Sequence, residues 1–329
     1  MSEYEIREWR EGDEASLLET FNTVFAAENP DFRARTQAEW DWAFRQNPAG
    51  FRIWLAVKEQ QVCAQYAALP YRVWVEGEER HFAQIVDSMV HPEHRRGLKR
   101  PGLFVQTAWP FFDEYGGPGR DLVHYGWPIE QAWRVGKTFL KYEVVRTQPF
   151  LVRVLEGEAE RMPPEVEVLD AFDHQARWLY DRCVGDWPAS TIRDDAFLNW
   201  RFTTNPHHEY VSFGVRDGEG VLRGYAVYKF GDWVLPNMGL VVDWLVPPAE
   251  PEVAELLLRA VLARARADGA GVAATIFPEW APWFGWFQDR GFLVHPSHYF
   301  MVGRNFEKKH DMLWLRDHWW YQLADTDLV

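Results

Sequence analysis

Apolar and polar positions along the chain predict one order of elements, written twice. A short alternating run over residues 4–9 predicts a strand, and Asp13 stands where it can cap a helix reaching about Phe25. Thr36 and Glu39 have capping-box spacing and open a second helix, which ends near Asn47-Pro48-Ala49-Gly50. Strand-like runs follow at 51–57, 62–75 and 81–90. A helix over 103–115, a strand over 121–127, a short helix after Pro128 and a strand from Tyr142 complete the first series. The second series has a strand at 165–169, helices at 172–183 and 194–202, and strands at 209–216, 222–230 and 238–246. It closes with a helix over 252–267, a strand over 271–277, a helix after Pro278 and a strand over 292–296. In the helix over 252–267, Val253, Leu256, Leu257, Ala260 and Val261 fall on one face.

Particular residues tie the two series together. The segment IVDSMVHP at 85–92 matches VVDWLVPP at 241–248. Trp42 stands five residues before Asn47-Pro48, and Trp200 stands five before Asn205-Pro206. Pro128 and Tyr142 are answered by Pro278 and Phe292. A nearly constant offset across such different residues marks a duplication. The expected organisation is an N-terminal domain over 1–155, a charged, proline-bearing linker over 156–164, a second domain over 165–303 and an aromatic-rich tail over 304–329. Trp314, Leu315, Trp319, Trp320 and Tyr321 should dock the tail on the domains, with Asp325, Thr326 and Asp327 as a solvated end. Helices interspersed with strands imply an α/β fold.

Composition narrows the function. A chain of 329 residues, 47% hydrophobic and 26% charged, suits two globular domains. The formal charge of −14 argues against a nucleic-acid binder and suits a substrate bearing an amine. The N-terminus is charged and has no apolar run of the signal-peptide kind, and no apolar stretch approaches the ~20 residues of a membrane helix. Cys63 and Cys183 lie in different halves, and the eleven histidines show no metal-ligand spacing. The expectation is a cytoplasmic, reduced protein without a metal.

The chemistry concentrates at residues 90–103. There a strand ends in Val90-His91-Pro92, a basic loop with glycines follows, and an apolar helix begins at Leu103. Such a junction aims backbone N–H groups and a helix N-terminus at one point, where an anion is held. Gly97 and Gly102 allow close approach, and Arg95, Arg96, Lys99 and Arg100 add countercharge. The matching stretch of the second copy, 246–252, carries Glu250 and Glu252 with neither glycine nor base, and it should repel an anion.

These residues resemble the GNAT superfamily of acyl-CoA-dependent N-acyltransferases, here as a tandem member with a degenerate second domain. In that family Val-x-Pro ends the fourth strand and an Arg-x-x-Gly-x-Gly/Ala loop holds the CoA pyrophosphate. Here the loop is longer, with residues 98–101 inserted. Gly291-Phe292 and, less closely, Lys141-Tyr142 match the family's mark before the last strand. The resemblance implies two domains, each with a mixed, mostly antiparallel central sheet flanked by helices. It implies acetyl-CoA as acyl donor, bound by Met89, Val90, Arg95, Arg96, Gly97, Lys99, Arg100, Gly102 and Leu103, with backbone N–H groups near Met89 and Val90 facing the thioester oxygen. The acceptor implied is a primary amine of a small molecule or aminosugar, attacking directly, in a monomer or homodimer. Asp87 is the implied base, although Asp243 holds the matching place in the second copy, which favours a structural role. The family's usual acid tyrosine has no obvious counterpart, which leaves Tyr125 and Tyr142 as substitutes. His91 and His124 read as structural histidines. A non-catalytic acyl-CoA-binding scaffold and a Fem-like aminoacyltransferase are the alternative readings.

Overall fold

The computed structural model describes residues 3–29, 31–95, 101–157 and 161–329. The chain divides into two compact units that interleave along the sequence. Unit 1 comprises Met1–Arg72, Arg80–Arg146 and Phe300–Leu313; unit 2 comprises Val73–Glu79, Thr147–Tyr299 and Trp314–Val329.

Unit 1 is built on a sheet ordered β1 (Glu5–Glu8), β2 (Arg52–Lys58), β3 (Gln61–Val75), β4 (Glu78–Val90), β5 (Asp121–Gly126), β15 (Phe300–Asn305) and β6 (Glu143–Thr147). β4 runs parallel to β5, whereas β1 with β2, β2 with β3, and β5 with β15 are antiparallel. Helix α1 (Glu14–Glu28) buries Leu17, Leu18, Phe21 and Val24, three or four residues apart, against Ile53, Leu55, Val62, Ala67 and Met89. Each such side chain contributes about 1.5–3 kcal/mol on burial. Helix α2 (Gln37–Trp40) opens with the capping box foreseen at Thr36 and Glu39 and runs into a π-helical turn, Asp41–Arg45. Helix α3 (Leu103–Tyr115) and helix α4 (Glu130–Phe139) follow β4 and β5.

Unit 2 repeats the plan. Its sheet is ordered β14 (Leu293–His295), β7 (Phe150–Val154), β13 (Val272–Thr275), β12 (Met238–Leu245), β11 (Leu222–Gly231), β10 (Val211–Arg216) and β8 (Val166–Leu169). Only the β12–β13 pairing is parallel. Helix α5 (Gln175–Cys183), helix α6 (Asp195–Leu198) and helix α7 (Pro251–Ala267) match α1, α2 and α3 in order, and α6 also runs into a π-helical turn, Asn199–Thr203. Placing the same rare turn at the same repeat position preserves one local geometry in both copies.

The two edge regions differ from a simple concatenation. β7 follows the first series in sequence yet pairs with β13 and β14, and β15 follows the second series yet pairs with β5. From Trp314 on the tail belongs to unit 2: Trp319–Trp320 form β16 beside β9 (Ala189–Thr191), and Trp320 stacks on Trp187 at 4.0 Å. The solvated end is corrected by burial. Asp325 and Thr326 are enclosed, and only Asp327 of that trio is exposed. Arg201 explains it, because its guanidinium donates to the carbonyls of Ala324, Thr326 and Val329.

Candidate functional site

The site lies where β4 and β5 of unit 1 part. Their register runs from His81 opposite Asp121 to Gln84 opposite Tyr125 and stops there, while β4 continues to Val90. At the fork the backbones are tight, since a Cβ on Gly126 would sit 3.2 Å from the Ile85 carbonyl oxygen. Past it, one edge of β4 is left without β5. Asp87 marks the irregularity with φ +51°, a left-handed conformation that aspartate tolerates better than most residues. Its carbonyl accepts from the Gln65 side-chain amide on β3 at 2.9 Å, and His91 N–H donates to the Cys63 carbonyl at 2.8 Å. Consecutive N–H groups of a strand face opposite edges. The Met89 N–H therefore points toward β3, and the Val90 N–H points to the side that β5 has left.

Val90 and Leu103 share one small apolar cluster with Ala64 and Cys63, which brings the end of β4 to the head of α3. Gly102 precedes α3 in an extended conformation with open space around its Cα. Arg95 donates from Nε to the Val90 carbonyl at 2.9 Å and from Nη2 to Glu28 at 2.8 Å. Arg96, Gly97, Lys99 and Arg100 lie outside the described residues.

The proton-handling candidates occupy three different settings. Asp87 is clasped by both terminal nitrogens of Arg35, one at 3.2 Å, with its side chain 14% exposed. Tyr125 is buried on β5 at the last paired position, beside Tyr71 and Trp127. The Tyr142 hydroxyl bonds that of Tyr66, both rings are buried, and burial pushes the Tyr142 phenol up to about 12. The Tyr142 ring also lies where a Cβ on Gly136 would be, so this tyrosine fills the space of a side chain on α4. His124 is enclosed among Phe111, Phe112 and Phe306 and bonds Asp121 at 3.2 Å; burial drives its imidazole below the ordinary range. His91 Nδ1 accepts from the Glu93 N–H. Both behave as structural histidines.

Unit 2 has the same parting, filled by its own chain. β12 and β13 stay in register only from Met238 opposite Val272 to Leu240 opposite Ala274, although β12 continues to Leu245. Beyond the parting, Thr275 donates to the Val241 carbonyl at 3.0 Å and Gln322 of the tail donates to the Trp244 carbonyl at 2.7 Å. At the head of α7 stands buried Glu250, whose carboxylate holds Arg182 and Arg223. The anion there is built into the chain.

Sequence reasoning missed Arg35. Its signal was present: Arg35 and Arg193 each stand seven residues before the paired tryptophans Trp42 and Trp200, and Arg193 bonds Asp243 as Arg35 bonds Asp87. No group of three or more His, Cys, Asp or Glu side chains is arranged to hold a metal among the described residues. Among the same residues, no helix is long and apolar enough to cross a membrane.

Residues 5–104 match the acetyltransferase (GNAT) domain family. Comparison with curated proteins returns no match. Among solved structures, a probable N-acyltransferase from Enterococcus faecalis superposes with a TM-score of 0.64 at 13% identity, over 92% of this chain and 72% of that one. A GCN5-related N-acetyltransferase from Anabaena variabilis gives 0.62 at 14% identity, over 92% and 72%. Saccharomyces cerevisiae N-myristoyltransferase with bound myristoyl-CoA gives 0.57 at 12% identity, over 93% and 83%. Residues 5–104 thus match the acetyltransferase (GNAT) domain, and the chain shares the fold of these solved structures, N-myristoyltransferase among them.

Proposed function

We propose that the protein is an N-acyltransferase whose first GNAT domain moves an acetyl group from acetyl-CoA to a primary amine of a small molecule. The observation that carries this reading is the parting of β4 from β5 next to the head of α3, with β4 and the first residues of α3 inside the segment that matches the GNAT domain. The pyrophosphate would rest on the loop from Arg95 to Leu103, where Arg96, Gly97, Lys99, Arg100 and Gly102 supply charge and close approach. The Val90 N–H, on the open edge, would face the thioester oxygen as negative charge builds there. Tyr125, at the fork, would hand a proton to the departing thiolate, and the carboxylate of Asp87 would hold the amine. The second domain would bind no CoA, because Gln322 bonds its open edge and Glu250 stands at its helix head.

Calorimetric titration of acetyl-CoA tests this reading. One site per chain is expected, abolished by Arg96→Glu and retained in Glu252→Ala at the exposed start of α7. Glu250 is unsuited as that control, since removing its carboxylate strands two arginines. Two sites per chain, or binding unaffected by Arg96→Glu, would refute the assignment.

A further inference from the structure

Each unit carries an arginine–aspartate pair at one position of the repeat, but the two arginines are used differently. A guanidinium has five N–H donors. Arg193 spends them all. Its Nε and Nη2 meet Asp243 at 3.0–3.3 Å, its Nη1 and Nη2 meet Asp325 at 2.8 and 2.7 Å, and Nη1 also reaches the Thr191 carbonyl at 3.1 Å. Both carboxylates and the guanidinium are completely buried. One arginine in this position therefore accommodates two carboxylates, one from the irregular strand and one brought by the tail.

Among the described residues Arg35 meets only the carboxylate of the irregular strand, and it meets it on the edge that Arg193 turns to Asp325. Its Nη1 and Nη2 meet Asp87, and its flat face lies 3.9 Å over Phe21. The tail that delivers Asp325 to Arg193 belongs to unit 2, and the last segment of unit 1 ends at Leu313. Among the described residues, three of the five donors of Arg35, Nε–H included, have no partner, and its side chain is 26% exposed where that of Arg193 is closed off. Arg35 and Asp87 also adjoin the open edge of β4 on which acyl transfer would occur.

We propose that Arg35 binds a carboxylate of the acceptor as its second carboxylate, on the Nε edge that Asp87 does not take, so that the acceptor is an amino acid. The inference rests on the acyltransferase reading and names its substrate class. A zwitterion matches the pair: its carboxylate takes the spare donors of Arg35 and its ammonium faces Asp87, giving each charge an opposite neighbour. The step balances without a further reagent. The nitrogen lone pair forms the new C–N bond as the thioester C–S bond breaks. Of the two protons the ammonium gives up, one ends on the CoA sulfur and the other leaves to solvent by way of Asp87.

Acceptor pairs that differ only at the carboxylate test this directly. Acetyl-CoA consumption is followed as thiol release with each standard amino acid and with its primary amide. The expected result is a preference in kcat/KM of roughly tenfold or more for the acid, the scale of one charge-assisted pair. Arg35→Gln should erase that preference mainly through KM. Should that variant fail to fold, Arg35→Gln with Asp87→Asn replaces the ion pair by a neutral hydrogen-bonded one and is expected to erase it equally. In parallel, glycine titrated into the 15N-labelled protein should move the Arg35 Nε signal saturably while glycinamide does not, with Arg193 as an unmoved internal reference. Turnover of acids and amides at equal rates would overturn the carboxylate site and leave the acyltransferase reading standing. A saturable Arg35 response without acetyl-CoA binding would sustain the site and sink that reading. No Arg35 response to glycine, together with no preference for acids, would overturn the proposal.

Discussion

Replacing Arg193 by methionine measures what the buried charge network of unit 2 contributes. The guanidinium is wholly enclosed with Asp243 and Asp325, and Tyr225 donates to Asp243 at 2.8 Å. Removing one partner of a buried pair costs about 3–5 kcal/mol, and here two carboxylates lose their only shared cation, which puts the loss at the upper end. Burial already pushes the Asp243 carboxyl above its ordinary value despite Arg193. Without the arginine that carboxyl will keep its proton in the folded state while the unfolded chain gives it up near 3.8. The unfolded state then binds fewer protons, so stability falls as pH rises, by about 1.4 kcal/mol per unit until the folded carboxyl ionises. The matching Arg35→Met in unit 1 acts on side chains 26% and 14% exposed, where water screens the loss to about 1 kcal/mol. Urea unfolding at pH 5 and pH 8, followed by tryptophan fluorescence, reads both variants against the parent. Equal costs for the two arginines, or an Arg193→Met penalty that does not grow with pH, would refute this account.

Lys229 offers a test of opposite sign. Burial, with Arg201 nearby, lowers its ammonium to about 8 from 10.5, so between those values the unfolded chain binds more protons and stability rises with pH. Lys229→Met should raise stability at pH 7 by on the order of 2 kcal/mol, seen as a higher urea midpoint; a lower midpoint would mean that the ammonium is held by favourable contacts. Asp121 governs the acid limb. Burial opposes its charge, but His124 and the Arg52 nitrogens at 3.2 Å outweigh it and hold the carboxyl below 3.8. Its contribution is complete above 3.8 and disappears as pH falls through the folded value, so Asp121→Asn should cost about 3 kcal/mol at pH 7 and flatten the loss of stability below pH 4.

The elements of both series were legible because each rests on local information. The capping box at Thr36 and Glu39, the apolar stripe of α7 and the alternation in β2 depend on residues within a few positions of one another. The duplication was legible too, in the repeated tryptophan, Asn-Pro and Val-Asp positions. The same offset relates Arg35 to Arg193.

Pairing partners and burial were decided by the tertiary structure. That β15 joins β5 while β7 joins β13 has no local signature, because a strand's alternation fits any edge with the right face. The tail's Asp325 reads as a polar terminus, and its buried charge is tolerable because Arg193, 132 residues away, donates to it. The parting of β4 from β5 was likewise invisible, since the sequence of a strand does not record where its neighbour leaves it. The sequence by itself determined which elements form and that they form twice; the long-range contacts decided which strand edge the tail covers, because that depends on where a distant part of the chain arrives.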